Sequence, residues 1–482
     1  MKIIIVGGGI SGLATYLYLR KLLPDPPSSS SPHTIHIYES HRPQNTLSSD
    51  TQDTARNATS ISALSSSTQT VGGGLGVSPN GMRILHDISP SLHGAVTAQG
   101  FPCEKFIFMG ENGCTLGVAP AGDKGGYEGP SGREEVCVSS LRGGLWACLK
   151  SHVDETYGGD VVRYETVAST RPAAAGKKTV VVFEAGREEE ADLVVGADGV
   201  KSAVRRGLLG DGNFEPIYTG ASGIGGVIHG PLPARVTDNK AMVFTFGRRG
   251  FFGYASSAPA AANSLMWWST FDTDSVPSKT TNLDPDDIKA GLQDRHGGAA
   301  DPVVRDIISR AEVQSIYPTW VMPDLPHWGE NGTVLIGDAA HALSPTTGQG
   351  ASQALEDAQT LALLLAETLK KAYSENDAEV QEDASVERKQ KAALALTLKL
   401  LYQIRHGRVA AIRERGKKMD RGKKNMGVVE EYAMYCFLKL MMLFTPIAKY
   451  VLGDVNAELY NWSAKAEVQK ALAALDGERA EA

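Results

Sequence analysis

The chain opens Met1-Lys2-Ile3-Ile4-Ile5-Val6-Gly7-Gly8-Gly9-Ile10-Ser11-Gly12, and this stretch decides the fold. Lys2 to Val6 is a continuous apolar run of the kind buried in a parallel sheet. Gly7 permits a tight turn, Gly9 lets a pyrophosphate approach the backbone, and Gly12 lets the following helix pack close to the strand. That helix, expected from Ser11 to Leu22, aims its N-terminal N–H groups and positive dipole end at the phosphates. A second strand, Thr34 to Glu39, ends in an acid placed to accept from a ribose hydroxyl. Glu39 follows Gly12 at more than the usual ~20 residues. A Pro- and Ser-rich insertion over 24–32 accounts for the excess.

Two later phrases repeat this logic: Leu193-Val194-Val195-Gly196-Ala197-Asp198-Gly199 and Val334-Leu335-Ile336-Gly337-Asp338. Each is an apolar strand running into a turn of small residues. One such phrase is weak evidence for a nucleotide; three, in this order, describe a pocket for one large dinucleotide, FAD.

The 482 residues suffice for two or three domains with sizeable cores. Lys+Arg 48 against Asp+Glu 55, a net charge of −7, gives no electrostatic case for a nucleic-acid partner. Cys103, Cys114, Cys137, Cys148 and Cys436 are scattered without metal-ligand spacing, so no metal and a reducing compartment are expected. The start runs directly into a strand, so no signal peptide and a cytoplasmic location are expected. Tyr432 to Leu452 is long and apolar, but Lys439, Lys449 and Pro446 interrupt it. An amphipathic helix broken at Pro446 is expected, with weak membrane contact through 432–452 as the alternative to burial.

Residues 46–70 are Ser/Thr-rich and read as a surface loop, with the sequon Asn57-Ala58-Thr59 inside it. The glycines from Gly72 to Gly76 suit backbone lying flat against a planar ligand, and a helix is expected over 81–88. Residues 100–135 read as short strands. From 213 to 328, runs such as Ala241 to Phe246 and Ser264 to Phe271 suggest an antiparallel sheet with one covered face. The chain turns helical from about 351, with Asp377 to Glu387 as an acidic loop and Arg405 to Lys424 as a helix with a solvated basic face. The fold class expected is α/β: a Rossmann-like FAD-binding domain, an inserted antiparallel β-sheet substrate domain and a helical C-terminal tail. The boundaries are 1–88, 136–212 and 329–372 for the cofactor domain, 89–135 and 213–328 for the sheet domain, and 373–482 for the tail.

These residues resemble the single-component FAD-dependent monooxygenases of the para-hydroxybenzoate hydroxylase fold, from Lys2 to about Arg408. Gly7 to Gly12 matches the ADP-binding turn, and Arg142 to Leu149 is similar to the helix start whose arginine contacts FAD. Gly196 to Arg205 matches the Asp-Gly motif, and Gly337 to Pro345 the Gly-Asp motif. Tyr402 to Arg408 resembles a later Tyr- and Arg-bearing helix. The resemblance implies that Asp338 accepts from a flavin hydroxyl and that Asp198 sits near FAD and the donor's route. It further implies that Gly73 lies along the cofactor. The Gly348-Gln349-Gly350-Ala351 helix start would stabilise charge on reduced flavin through its N–H groups. It also implies NAD(P)H and O2 as co-substrates, a flavin C4a-hydroperoxide, and hydroxylation or epoxidation of a small hydrophobic substrate (aromatic, polyketide, indole or isoprenoid). The local alternative for Asp198 is a turn aspartate satisfying nearby N–H groups, and for Arg142 a surface arginine.

The strand after the Asp-Gly motif, Tyr218 to His229, lacks the arginine that phenol hydroxylases of one branch carry. His229 is the one candidate base there, against a structural role. Phe244, Phe246, Phe251, Phe252, Tyr254, Trp267 and Trp268 are candidates to line a substrate site or to form the sheet's core. A reductase or dehydrogenase of the same fold shares these motifs, and a non-catalytic flavin-binding scaffold is the third reading.

Overall fold

The computed structural model describes residues 1–27, 31–42, 73–122, 134–172, 177–273, 285–313, 315–374, 383–421, 425–444 and 455–481. The expected Ser/Thr-rich loop over 46–70, its sequon and Pro446 lie outside them.

Six strands form the sheet on which the glycine turns sit. Their spatial order is Gly329–Glu330, Thr333–Leu335, Leu193–Gly196, Lys2–Val6, Thr34–Tyr38 and Val162–Arg163. All neighbours run parallel except the Gly329–Glu330 edge. Ile3 pairs with Leu193 and Ile35, and Val194 with Thr333, so strands distant in sequence meet in one register. Ile3 to Ile5, Leu193 to Val195, Val334 and Leu335 are fully buried, because both faces of the sheet are covered. Ile3, Ile5, Leu193 and Val195 pack on one side with the helices Ile10–Leu22 and Gly350–Ser374. Ile4, Val194 and Leu335 pack on the other with Val181, Phe183 and Trp328.

The seven-stranded sheet has the order Ser315–Val321, Ile217–His229, Ser264–Asp272, Gly250–Ser256, Ala241–Gly247, Lys105–Gly110, Thr115–Pro120. It is antiparallel except where Ala241–Gly247 runs alongside Lys105–Gly110. The helices Pro285–His296 and Pro302–Arg310 cover one face with Leu292, Val304, Ile307 and Ile308. The helix Pro90–Gln99 sits just past the expected boundary at residue 88, yet buries Leu92 and Val96 in the core of the six-stranded sheet.

The C-terminal helices are not a detached tail. Leu394, Leu398, Leu401 and Val468 pack on the Ile3 and Ile5 side of the six-stranded sheet, and Val409 and Ile412 on its Ile4 side. Asp383–Arg421 is one continuous helix, so Asp383 to Glu387 is helical rather than loop. Val428–Leu443 lies across the end of the seven-stranded sheet, with the Tyr435 hydroxyl donating to the Phe246 carbonyl oxygen at 2.6 Å. Its outer side leaves Val429, Phe437 and Leu443 exposed. Among the described residues, no helix is long and apolar enough to cross a membrane.

Candidate functional site

The three glycine phrases converge as read. A methyl group on Gly7, whose φ is +104°, would stand 2.3 Å from the Ala197 carbonyl oxygen. One on Gly337, φ +56°, would stand 2.3 Å from Ser11 Oγ. The first turn therefore meets the Asp-Gly turn through backbone and the Gly-Asp turn through the Ser11 hydroxyl, and glycine with positive φ allows both approaches. By contrast, a methyl on Gly9, Gly348 or Gly350 would meet nothing within 4 Å. These three glycines edge open space, the condition a ligand lying against backbone requires.

Glu39 stands just after its strand and is already engaged. Its Oε2 accepts from the Gly8 N–H at 2.7 Å and its Oε1 from the His41 N–H at 2.9 Å. Oε1 also accepts from Ser40 Oγ at 3.2 Å, whereas Oε2 keeps a second lone pair, so an acceptor for a ribose hydroxyl remains. Asp338 begins the short helix Asp338–His341, whose N-cap is Gly337, and its carboxylate has no partner among the described residues. Arg142 begins the helix Arg142–Tyr157; its N–H donates to the Gly73 carbonyl oxygen at 3.3 Å, and its side chain is exposed and unpartnered among the described residues. Ser78 Oγ accepts from Gln349 Nε2 at 3.0 Å, tying the Gly73 segment to the Gly348–Ala351 turn.

Asp198 is occupied locally. It accepts from Ser202 Oγ at 2.5 Å and from the Ala203 and Val204 N–H groups at 2.7 and 3.2 Å, closing the start of helix Ala203–Leu209. Burial raises its carboxyl, against the pull of these donors. His229 is exposed at the far end of its strand, six residues from Gly223, which pairs with Tyr317. That separation is roughly 20 Å of extended chain, and Tyr317 Cε1 lies 3.7 Å from where a methyl on Gly73 would stand. The structure therefore does not bring His229 to the other candidates.

The seven candidate aromatics divide by strand alternation. Phe252, Tyr254 and Trp267 are buried against the covering helices, with Phe252 stacked on Trp267 at 6.0 Å. Phe244, Phe246, Phe251 and Trp268 share the opposite face, joined by Phe106 and Phe108. Ring centroids there lie 5.2 to 6.0 Å apart for Phe246–Phe251, Phe244–Phe251 and Phe244–Trp268. Met266, on that same face, fills the space above Gly74, so this face meets the Gly73–Gly74 segment. Tyr317 also lies on it, and burial pushes its phenol up to about 12.

Sequence reading missed several positioning residues. Trp146 Nε1 donates to the Gly8 carbonyl oxygen at 2.8 Å; its spacing from Arg142 on one helix face was the available signal. Arg205 is buried and donates to the Ala339 and Val200 carbonyl oxygens at 3.1 and 2.7 Å, locking the Asp-Gly turn to the Gly-Asp turn. The solvated basic face expected from Arg405 fails at its first residues. Arg405 is fully buried, pairing with Asp357 at 2.8 Å and with Glu356, while Arg408 pairs with Glu356 at 2.6 Å. Asp357 Oδ2 also accepts the Gly337 N–H at 2.8 Å and faces His341 Nε2 at 2.6 Å. Burial alone would raise the Asp357 carboxyl, but His341 and Arg405 hold it down at about 2.

The family described as FAD binding domain matches residues 145–396, more than half of the chain. The chain belongs to this family. Its relatives include the chloroplastic zeaxanthin epoxidase of an Oncidium hybrid cultivar, 32% identical over 192 residues, which are 39% of this chain and 27% of that protein. The chain thus spans about a quarter of the length of that relative. The 3-amino-4-hydroxybenzoate 2-monooxygenase of Streptomyces cremeus is 29% identical over 295 residues, 60% of this chain and 68% of the relative. Among solved structures, Klebsiella pneumoniae HpxO complexed with FAD and uric acid superposes with TM-score 0.67 at 17% identity, covering 95% of this chain and 97% of that one. A salicylate hydroxylase substrate complex gives 0.66 at 17% identity, covering 97% of each chain. At that identity the likeness concerns the fold. FAD is the cofactor of the family, and the open glycine edges and unpartnered Asp338 carboxylate fit it.

Proposed function

We propose that this chain is an NAD(P)H- and O2-dependent FAD monooxygenase that hydroxylates or epoxidises a small hydrophobic, aromatic or isoprenoid substrate. The observation that carries the reading is the aromatic face of the seven-stranded sheet turned toward the Gly73–Gly74 segment. Phe106, Phe108, Phe244, Phe246 and Trp268 are only half-buried there, whereas the opposite face is closed by helices. The relatives' names, an epoxidase of zeaxanthin and monooxygenases of substituted benzoates, support the same substrate classes.

In this reading Gly7, Gly9, Gly12 and Glu39 hold the adenosine diphosphate part of FAD. Asp338 would accept from a hydroxyl of FAD, and Gly73 and Arg142 would line the cofactor site. Asp198 acts behind them by fixing the helix start at Ala203. FAD supplies the two-electron chemistry, accepting hydride from NAD(P)H and activating O2 when reduced. The N–H groups around Gly348, Gly350 and Ala351 offer positive charge where the reduced ring is negative. The aromatic face orients the substrate and keeps water from the reacting oxygen. Tyr317, with its raised pKa, stays protonated near neutrality and can donate to a substrate oxygen. The domain division follows the two sheets, with the sheet domain inserted in the cofactor domain.

The test is NAD(P)H oxidation by the purified flavoprotein under air enriched in 18O2, with a panel of hydroxybenzoates and carotenoids. The proposal predicts that some compound accelerates NAD(P)H oxidation and gains a single labelled oxygen. A product reduced without oxygen, formed equally well anaerobically, would replace it with the reductase reading.

A further inference from the structure

We propose that the C-terminal segment 455–462 is a positioning element for the flavin, acting on both flavin-facing turns through Arg408 and Glu356. The inference rests on the FAD reading above. Arg408 is clasped from two sides: its Nε and Nη2 meet the two Glu356 oxygens at 2.6 and 2.7 Å. Its Nη1 and Nη2 also donate to the Glu458 and Leu459 carbonyl oxygens at 3.0 and 2.8 Å. The Trp462 ring then covers the pair, 4.6 Å from the Arg405 guanidinium carbon and 4.8 Å from that of Arg408. These contacts come from a segment more than a hundred residues beyond Gly337 in the chain.

From Glu356 the linkage runs to the turns. Glu356 and Asp357 are adjacent in the helix that begins at Gly350, and Arg405 bridges them. Asp357 holds the Gly337 N–H, the residue before Asp338. Asn80 Nδ2 joins Glu356 at 2.6 Å to Gln349 Oε1 at 3.3 Å, between Gly348 and Gly350. Every side chain in this chain of contacts but Arg408 and Trp462 is essentially inaccessible to solvent. Apart from Asn80 Oδ1, which has no partner among the described residues, the network's charged groups are all paired; such a buried network has few alternative arrangements, so a displacement at the tail reaches the turns.

The network also carries charge. Two guanidiniums face two carboxylates, and Glu356 lies six residues into the helix, about 9 Å from its N-terminus. Loss of the Arg408 charge leaves negative charge in excess behind the helix end that would stabilise reduced flavin. Reduction then becomes harder, an effect mere loosening of the fold does not predict with a fixed sign.

The experiment compares the full chain with Trp462→Ala, Trp462→Phe, Arg408→Gln and Arg408→Lys. Three readouts are taken: FAD dissociation constant, flavin midpoint potential, and amide hydrogen exchange of the apoprotein at Gly337. Trp462→Ala should weaken FAD binding on the order of tenfold and speed exchange at Gly337, with Trp462→Phe near the parent. Arg408→Gln should move the potential to more negative values, and Arg408→Lys, which keeps the charge, should restore it. Unchanged exchange and affinity in a folded Trp462→Ala protein would overturn the proposal. So would an Arg408→Gln potential equal to the parent's. A parent that binds no FAD would instead refute the cofactor reading, and the Gly337 exchange would still decide the linkage.

Discussion

Replacing Asp357 by Asn removes one charge from the network beneath the glycine turns while keeping its shape. Its folded carboxyl is held at about 2, against ~3.9 in an unfolded chain, and that difference is worth roughly 2–3 kcal/mol near neutral pH. Removing one partner of a buried ion pair costs ~3–5 kcal/mol. Arg405 keeps Glu356, and Asn keeps an acceptor for the Gly337 N–H. The expected loss is therefore at the low end, about 3 kcal/mol at pH 7. The sign with pH follows from a depressed carboxyl: the stabilisation is complete above its unfolded value and disappears as pH falls through about 2. The parent should lose this contribution between pH ~4 and ~2, and the variant should lack that step. Urea titration followed by tryptophan fluorescence measures both, since Trp328 lies 4.9 Å from the His341 ring. A variant within ~1 kcal/mol of the parent at pH 7 would refute the reasoning.

Gly7→Ala should abolish FAD binding in flavin-fluorescence titration, because its methyl would stand 2.3 Å from the Ala197 carbonyl oxygen. Asp338→Ala should strip most of the flavin from the purified protein, read from the ratio of flavin to protein absorbance; full retention would remove Asp338 from the site. Phe252→Ala should lower unfolding stability by ~3–5 kcal/mol, since Phe252 is fully buried on the helix-covered face. Phe244→Ala, on the half-buried face, should instead chiefly reduce how far substrate stimulates NAD(P)H oxidation. Equal behaviour of the two in both assays would contradict the division of faces.

The parallel sheet and its turns were legible because local chemistry dictates them. An apolar run ending at Gly7, or at Gly337, has few other folds. The antiparallel sheet was legible from alternation, but which side of it meets the Gly73–Gly74 segment was not. That depends on Met266 meeting Gly74 and on two helices covering Phe252 and Trp267. Arg405 and Arg408 looked like part of a solvated stripe because Lys417, Lys418 and similar residues follow them. Their acids, Glu356 and Asp357, lie about fifty residues earlier, in another helix. Asp198 reads equally as ligand contact or turn closure in sequence, and the structure shows its carboxylate given to the helix at Ala203.

The central claim is that reduced flavin in this chain delivers oxygen to a substrate held against the aromatic face. The most direct measurement mixes anaerobically reduced protein with oxygenated buffer and follows flavin absorbance by stopped flow, with and without aromatic and isoprenoid compounds. A transient spectrum distinct from both oxidised and reduced flavin, whose decay responds to one compound, is predicted. A direct return to the oxidised spectrum under every condition would contradict the claim.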